Sequence, residues 1–310
     1  MNLPTSHPMH LGFDPLPAVQ HADLVIAIEC PVPYLPATAG LARAPTMIQI
    51  GVDPLFARLP MRSFPVDLAL AGDPARTLEA LAEVLARKPA PPAWEMRRAK
   101  IEKAHDELFA RARTEAEHDG ARPTISKRYL SHCLGQVLDD DAIVFNEYDL
   151  DPTLVRRDEP GTWFENSIAS GLGWALGAAL GAKLALPERT MVAAVGDGAY
   201  LFNTPLSAHH VAAAEGLPIL IVIFDDRAWS TIKRSYRAAH PTGAALTDSG
   251  TVLCDFPRTI DYAKVAEAAG GVGLRVEKPA ELLAALREAM RLVRSGDRHV
   301  LVDVMCDRDG

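Results

Sequence analysis

The pattern of apolar residues along the first third of the chain predicts a small α/β segment. Residues 22–29 form a β-branched apolar run followed by three prolines, which is typical of a buried parallel strand that ends in a loop. Residues 46–52 form a second such run. Between residues 74 and 86, apolar residues recur at helical spacing after Asp73, a candidate N-cap. These elements are too few for an independent doubly wound sheet, so we interpret residues 1–90 as part of a domain.

The middle of the chain is polar and highly charged. A proline-rich break at residues 89–92 precedes residues 94–117, in which Arg, Lys and Glu alternate. We expect a linker helix over residues 91–122. A solvated connector is favoured over a partner-binding helix.

After Pro123, strand-like and helix-like segments alternate to the end of the chain. The predicted helices cover residues 125–138, 168–186, 205–215 and 280–293, and the predicted strands cover residues 142–146, 190–195, 218–224 and 300–305. Strands that alternate with helices indicate right-handed βαβ units and a parallel sheet. We therefore expect an α/β protein in which residues 123–310 form a doubly wound parallel sheet, with a partial second α/β domain at the N-terminus.

Composition and charge narrow the functional classes. Of the 310 residues, 48% are hydrophobic and 23% charged, which argues against disordered and disulfide-rich proteins. The net charge of −8 offers no general basic surface for nucleic acid or anionic lipid. The four cysteines lack zinc-ligand spacing, and the most apolar stretch, residues 171–186, is too short to span a bilayer. Because the N-terminus does not resemble a secretory signal, we expect a cytoplasmic protein. The charge and the short apolar stretch lead us to expect that it binds neither nucleic acid nor membrane.

Carboxylates follow two successive predicted strands. Gly196, Asp197 and Gly198 end one strand, and Asp225 and Asp226 end the next, with 26 residues between the two motifs. Parallel strands end at the same edge of a sheet, so the carboxylates can converge, and the glycines leave backbone N–H groups free to face an anion. Carboxylates, a backbone carbonyl and a diphosphate suit octahedral Mg²⁺. A lone Gly-Asp-Gly is more simply a turn, but the pairing predicts a Mg²⁺-diphosphate site.

This pair of motifs resembles the cofactor signature of thiamine-diphosphate-dependent enzymes, in which Gly-Asp-Gly at one strand end precedes Asn-Asn at the next. The glycine-rich residues 170–177 resemble the family's helix start beneath the cofactor's pyrimidine; close helix packing through Gly173, Gly177 and Gly181 fits the same residues. The opening segment resembles the latter part of the family's middle domain. The similarity covers nearly the whole chain, in the pattern of the acetolactate synthase and benzoylformate decarboxylase branch.

The resemblance implies thiamine diphosphate and Mg²⁺ as cofactors and gives roles to particular positions. Asp197, Asp226 and the backbone carbonyl of Ala228 would hold Mg²⁺. Leu172 would keep the cofactor bent, and the Ser170 carbonyl would face the pyrimidine amino group. The implied cofactor-binding residues are Glu147, Tyr148, Ser170, Gly171, Leu172, Gly196, Asp197, Gly198, Ala199, Asp226, Ala228 and Trp229.

Several neighbouring side chains have two alternative roles. In this family Trp229, Ser230 and Ile232 would lie near the substrate, although a core aromatic and a helix cap fit these positions equally well. His209 and His210 lie on the predicted helix after Gly-Asp-Gly and could reach the pocket. For both histidines a packed or solvated role is favoured.

Four residues, at three places in the chain, depart from the family pattern. Asp225-Asp226 replaces the usual Asn-Asn and adds negative charge beside a diphosphate. Ala199 replaces a frequent serine, and Asp149 stands where a phosphate-binding hydroxyl is expected. These changes leave open a non-catalytic or regulatory relative that binds a nucleotide or a partner through the same fold. A Rossmann dehydrogenase is disfavoured, because no G-x-G-x-x-G opens a helix after a first strand.

The family's activating glutamate comes from a pyrimidine-binding domain, and no segment of this sequence resembles that domain. Glu29 follows a strand, but its surroundings resemble the middle domain, so we interpret it as structural. We expect the diphosphate-binding subunit of a two-chain lyase or transferase acting on 2-oxo acids by decarboxylation or carboligation. The expected partner is a separate pyrimidine-domain subunit carrying the catalytic glutamate, in a hetero-oligomer built on dimers.

Overall fold

The computed structural model describes residues 3–36, 39–59, 64–166, 171–243, 254–256, 260–296 and 298–308. The helices are α1 Leu16–Val19, α2 Pro74–Ala86, α3 Pro92–Asp119, α4 Lys127–Val137, α5 Ala175–Ala185, α6 Asp197–Phe202, α7 Pro205–Ala214, α8 Ser230–Ala239, α9 Tyr262–Ala268 and α10 Pro279–Ser295. The strands are β1 Leu24–Ile28, β2 Thr46–Gly51, β3 Leu68–Ala71, β4 Ile143–Glu147, β5 Trp163–Glu165, β6 Met191–Gly196, β7 Leu220–Asp225, β8 Val272–Val276 and β9 Val300–Met305. None of the described helices is long and apolar enough to cross a membrane.

The chain divides into two compact units. The smaller unit is Pro8–Leu108, and the larger unit combines Met1–His7 with Phe109–Gly310. The division falls within α3, the long charged helix that the sequence predicts. Residues before Pro8 join the larger unit because the Thr5 backbone N–H donates to the Arg157 carbonyl, 3.1 Å away.

In the smaller unit, a parallel sheet has the strand order β1-β2-β3. One face is buried against a cluster that includes Val19, Ala27 and Met47. The alternate residues of β1 point the other way, and Ile26 is 40% exposed there. Helix α2 begins as predicted, since Asp73 accepts a hydrogen bond of 3.0 Å from the Arg76 backbone N–H.

The larger unit contains six strands, all parallel, in the order β5-β4-β6-β7-β9-β8. Alternate residues of each central strand enter different cores: Val192 packs with α4 and α10, whereas Ala193 packs with α5, α7 and α9. The sheet is therefore buried on both faces, which explains why its central strands are continuously apolar. The predicted doubly wound parallel sheet is confirmed.

The strands that the sequence pattern missed are β3, β5 and β8, and all three lie at the edge of a sheet. Edge strands are buried less completely, so their apolar signal is weak. In β5 only Trp163 is buried, and in β8 only Val276. Helix α5 begins at Ala175 and not at residue 168, and residues 167–170 lie outside the described part of the chain.

Candidate functional site

A cavity of about 200 Å³ opens at the carboxyl ends of β4, β6 and β7. The chain passes from β4 to β5 on one side and then crosses to β6 on the other, so the winding direction reverses between β4 and β6. Such a reversal leaves a crevice at which doubly wound sheets bind ligands. The lining residues are Lys127, Glu147, Tyr148, Asp149, Leu172, Gly196, Asp197, Gly198, Ala199, Asp226, Ala228, Trp229, Ser230, Thr231 and Ile232.

The Gly-Asp-Gly turn connects β6 directly to α6. Asp197 is 2% exposed; its Oδ1 accepts from the Gly198 backbone N–H at 2.7 Å, and its Oδ2 accepts from the Arg227 N–H at 2.7 Å. A methyl group on Gly198 would collide with the Trp229 ring. The glycine is therefore required for the close approach of the turn to this aromatic wall.

Three buried carboxylates lie together at the ends of β6 and β7. Burial, reinforced by the negative charges of Asp226 and Asp225, raises the pKa of Asp197 to about 8. Burial also raises the pKa of Asp225, whose Oδ2 has no hydrogen-bond partner among the described residues. A cation beside these carboxylates would stabilise their charged form.

One cation of the chain itself already lies in the cavity. Lys127, the first residue of α4, places its Nζ 2.9 Å from Asp149 Oδ1 and 2.6 Å from Asp226 Oδ2. Burial alone would lower the pKa of Lys127, but the two carboxylates outweigh it and hold that pKa above its usual value. Burial raises the pKa of Asp149 although Lys127 opposes the shift.

Two residues beside the strand ends at the cavity have a positive φ that is rare outside glycine. Tyr148 follows β4 with φ of 88°, and Arg227 follows β7 with φ of 60°. Arg227 is held in this conformation by its N–H bond to Asp197 and by its guanidinium, which donates to the Cys306 carbonyl at 2.9 Å. Strain of this kind, of order 1 kcal/mol per residue, concentrates at functional sites.

The structure brings together ten of the twelve residues that the resemblance implies for cofactor binding. These are Glu147, Tyr148, Leu172, Gly196, Asp197, Gly198, Ala199, Asp226, Ala228 and Trp229. Gly171 is not part of the lining, and Ser170 lies outside the described residues.

Glu147 has a structural task besides lining the cavity. Its fully buried carboxylate accepts hydrogen bonds from the backbone N–H groups of Gly173 and Ala175 and from Asn203 Nδ2. These contacts fix the N-terminus of α5 against the end of β4, so the Glu147 side chain is already fully engaged.

The sequence pattern predicts close packing at three glycines, and the structure shows it at one of them. Gly173 has φ of 91°, and a methyl group there would collide with the Phe202 carbonyl. At Gly177 and Gly181 nothing lies within 4 Å of an added methyl group. The expectation of close packing is therefore wrong for these two positions in the described chain.

The two histidines after Gly-Asp-Gly do not line the cavity. His209 is fully buried, with Nε2 2.6 Å from Tyr200 Oη, and His210 is exposed. Both thus take the packed or solvated role favoured from the sequence. In the smaller unit, Glu29 Oε1 accepts from the Val52 N–H at 2.7 Å, which agrees with a structural role.

Sequence reasoning missed Lys127. The one signal for it is its place directly after Ser126, which caps α4 by accepting from the Tyr129 N–H at 3.0 Å. A lysine in the first turn of a helix is opposed by the positive end of the helix dipole. A basic residue at that position therefore needs an acidic partner elsewhere, and here the partners are Asp149 and Asp226.

The donor set of the cavity fits a divalent cation with a diphosphate. Asp197 and Asp226 supply carboxylate oxygens and Ala228 a backbone carbonyl, and Ser230 Oγ is buried with no described hydrogen-bond partner. Within the described chain, no three His, Cys, Asp or Glu side chains are grouped to hold a metal by themselves. Further oxygen ligands would have to come from the backbone and from the diphosphate.

Comparisons with known proteins show what the chain is similar to. Residues 152–304 match the family model "Thiamine pyrophosphate enzyme, C-terminal TPP binding domain". The acetolactate synthase isozyme 3 large subunit of Escherichia coli is 29% identical over 273 residues, which cover 84% of this chain and 44% of that protein. The acetolactate synthase large subunit of Haemophilus influenzae is 32% identical over 154 residues, or 48% of this chain and 24% of that protein.

The fold is also that of a solved relative. The thiamine diphosphate-dependent 4-hydroxybenzoylformate decarboxylase of Rhodococcus jostii RHA1 superposes with a TM-score of 0.69 at 21% identity, over 98% of this chain and 54% of that one. The present chain thus spans about half of that solved structure and less than half of the Escherichia coli protein. Residues 152–304 are similar to the C-terminal TPP-binding domain of thiamine pyrophosphate enzymes, and the chain is similar to acetolactate synthase large subunits, which agrees with the resemblance found in the sequence.

Proposed function

We propose that this chain supplies the diphosphate-binding half of a thiamine-diphosphate-dependent lyase or transferase that acts on 2-oxo acids by decarboxylation, carboligation or both. The observation that carries the proposal is the cavity at the β4, β6 and β7 ends, where ten residues implied for the cofactor meet. Its acidic part suits Mg²⁺, and its position at the reversal of strand order suits a diphosphate.

The residues of the chain would bind and orient the cofactor. Asp197, Asp226 and the Ala228 carbonyl would hold Mg²⁺, and Leu172 would support the bend of the cofactor. Ser230 Oγ is free among the described residues to donate to a phosphate oxygen. When bound, thiamine diphosphate supplies a carbon nucleophile that attacks a 2-oxo acid and accepts the electrons released with carbon dioxide.

We propose further that the activating glutamate comes from a separate pyrimidine-domain subunit, in a hetero-oligomer built on dimers. The Escherichia coli relative has a further region outside the match, since this chain covers 44% of its length, and we propose that a partner supplies the corresponding region here. The smaller unit supports it independently, because Leu24, Ile26 and Ile28 expose between 40% and 44% of their surface on one face of its sheet. An apolar sheet face of this kind is ordinarily covered.

The first test is a titration of the full chain with thiamine diphosphate in the presence and absence of Mg²⁺, followed by calorimetry. We expect saturable binding that requires Mg²⁺ and is lost in Asp197→Asn. The exposed Asp140→Asn serves as the matched control and should bind as the natural chain does. Absence of Mg²⁺-dependent binding, alone and with its co-purified partner, would reject the cofactor assignment.

The second test addresses the reaction and the partner. The chain is purified with any associated subunit, and carbon dioxide release from pyruvate and from benzoylformate is measured. We expect turnover in the complex and none from the chain alone. Turnover by the isolated chain would refute the two-chain arrangement while leaving the cofactor assignment intact.

A second candidate function is a non-catalytic or regulatory relative that binds a nucleotide or a partner in the same cavity. The observation that favours it is Asp149, whose carboxylate faces the cavity where a phosphate-binding hydroxyl was expected. Binding of a nucleoside diphosphate in preference to thiamine diphosphate, with no turnover in the purified complex, would support this alternative.

A further inference from the structure

Lys127 is fixed in the cavity wall by contacts of the two residues before it. Ile125, two positions earlier, forms a parallel bridge with Cys306, and its carbonyl accepts from the Asp307 N–H at 2.9 Å. Ser126 caps the helix and donates through Oγ to Asp119 at 2.7 Å. The start of α4 is thus tied to the end of β9, so the Lys127 side chain enters the cavity from a rigid element.

The Lys127 ammonium spans two carboxylates of different origin. Asp149 follows β4 and occupies the expected position of a phosphate-binding hydroxyl, and Asp226 follows β7 and is a proposed Mg²⁺ ligand. Both contacts are at ion-pair distance, 2.9 and 2.6 Å, and the side chains of Lys127, Asp149 and Asp226 are 11%, 11% and 3% exposed. An ammonium has three N–H donors, so two carboxylates leave one for a further acceptor.

A second buried lysine in the same unit shows what a purely structural role looks like. Lys183 on α5 is 8% exposed and donates to the carbonyls of Pro187 and Arg189, at 2.6 and 2.9 Å. These hydrogen bonds satisfy backbone carbonyls just beyond the C-terminus of its own helix. Lys127, in contrast, pairs with side chains from two other loops, and all three residues line the cavity.

We propose that Lys127 is a diphosphate-positioning residue: its ammonium offsets part of the negative charge of Asp149 and Asp226 and donates its remaining N–H to a diphosphate oxygen. The inference rests on the proposed function for the nature of the ligand, and it assigns to this chain a binding residue at a site where negative charge would otherwise repel the ligand. It also explains how Asp149 and Asp226 are accommodated in a diphosphate site, since Lys127 offsets part of the charge that they add.

The proposal makes opposite predictions for cations and anions. Without the ammonium, Asp149 and Asp226 become more available to a divalent cation, so the affinity for the cation rises. The same change leaves unbalanced negative charge facing a diphosphate, so the affinity for the anion falls. A residue with only a structural role would weaken both together.

The experiment uses the full chain with two simple probes, Mn²⁺ followed by electron paramagnetic resonance and inorganic diphosphate, at a saturating Mg²⁺ concentration, followed by calorimetry. In Lys127→Met we expect the diphosphate Kd to rise by about tenfold or more, and the Mn²⁺ Kd to fall by about threefold or more. Lys183→Met, the matched control, should change both constants less than about twofold. The double variant K127M/D149N should recover part of the diphosphate affinity, because it removes both charges of the ion pair. It also keeps the test available if the single variant does not fold.

The outcomes separate this inference from the proposed function. A loss of both affinities in K127M, an unchanged diphosphate affinity, or no recovery in K127M/D149N would overturn the role of Lys127. Natural chain that binds inorganic diphosphate through Lys127 but does not bind thiamine diphosphate would refute the proposed cofactor and leave the Lys127 inference standing. If the natural chain binds no diphosphate of either kind, both proposals fail.

Discussion

His209 gives the larger unit an acid-sensitive contribution to stability that a single substitution should remove. It lies on α7 with no exposed surface, its Nε2 2.6 Å from Tyr200 Oη and its ring centroid 4.7 Å from that of His299. Burial, and secondarily the neighbouring His299, lowers its pKa from 6.5 to about 4. The unfolded imidazole keeps the higher value, so protons bind preferentially to the unfolded chain as the pH falls.

The magnitude follows from the two pKa values. Between 6.5 and about 4 the folded state loses about 1.4 kcal/mol for each pH unit of acidification, which amounts to about 2 kcal/mol between roughly pH 7.5 and pH 5. The contribution is complete above pH 6.5 and lost toward pH 4. Burial lowers the pKa of His299 as well, which acts in the same direction. Asp303 opposes both, since burial raises its pKa to about 7 and its proton uptake favours the folded state.

Because these groups act in opposite directions, the test is a difference between variants. Free energies of urea unfolding are measured at about pH 7.5 and pH 5 for the natural chain, for His209→Gln and for His210→Gln, whose exposed side chain makes it the matched control. We expect the decrease on acidification to be about 2 kcal/mol smaller in H209Q than in the other two. This difference is independent of any constant loss from the Tyr200 contact. Equal decreases in all three proteins would refute the reasoning.

Three further predictions concern stability and are checked by urea unfolding at neutral pH. Arg157 is 2% exposed, and its guanidinium donates to the backbone carbonyls of Asp139 and Ala142. Arg157→Met should therefore lower the free energy of unfolding by about 3 kcal/mol. Arg156→Ala, at its exposed neighbour, should lower it by less than about 1 kcal/mol. Glu147→Gln should cost about 1–2 kcal/mol by weakening the bonds that hold the start of α5. Gly177→Ala should raise the free energy of unfolding by as much as about 1 kcal/mol, because the added methyl group fills open space within a helix. Gly198→Ala should lower it by about 1–3 kcal/mol, because the methyl group displaces the Trp229 indole.

The parallel sheet of the larger unit was predictable because strands that are buried on both faces have continuously apolar sequences. Residues 190–195 and 218–224 carry this signal, and their pairing in register brings Gly196 beside Phe224. Once two such strands are parallel, the residues that follow them must meet at one edge. For this reason the sequence alone predicts that Asp197 and Asp226 lie near each other at one edge of the sheet.

The pairing partners of those carboxylates could not be inferred in the same way. The pattern of apolar positions locates the ends of strands but contains no information about which side chain from another element reaches them. Lys127 lies 70 positions before Asp197 and reaches the cavity only because the start of α4 is bridged to Cys306. A contact made through the end of one strand and the start of a distant helix depends on tertiary structure alone.

The charges in the cavity also decide how its ligands must bind. Asp149, Asp197 and Asp226 face the space together with one ammonium, Lys127, so the cavity by itself is acidic and attracts a cation before an anion. A diphosphate entering alone would meet carboxylate charge that Lys127 does not offset, and a divalent cation entering alone would remain short of oxygen ligands. Each ligand therefore supplies what the other lacks, and their binding must be strongly coupled. Lys127 sets the strength of this coupling, because it compensates the carboxylates permanently and so determines how much charge the arriving cation still has to balance.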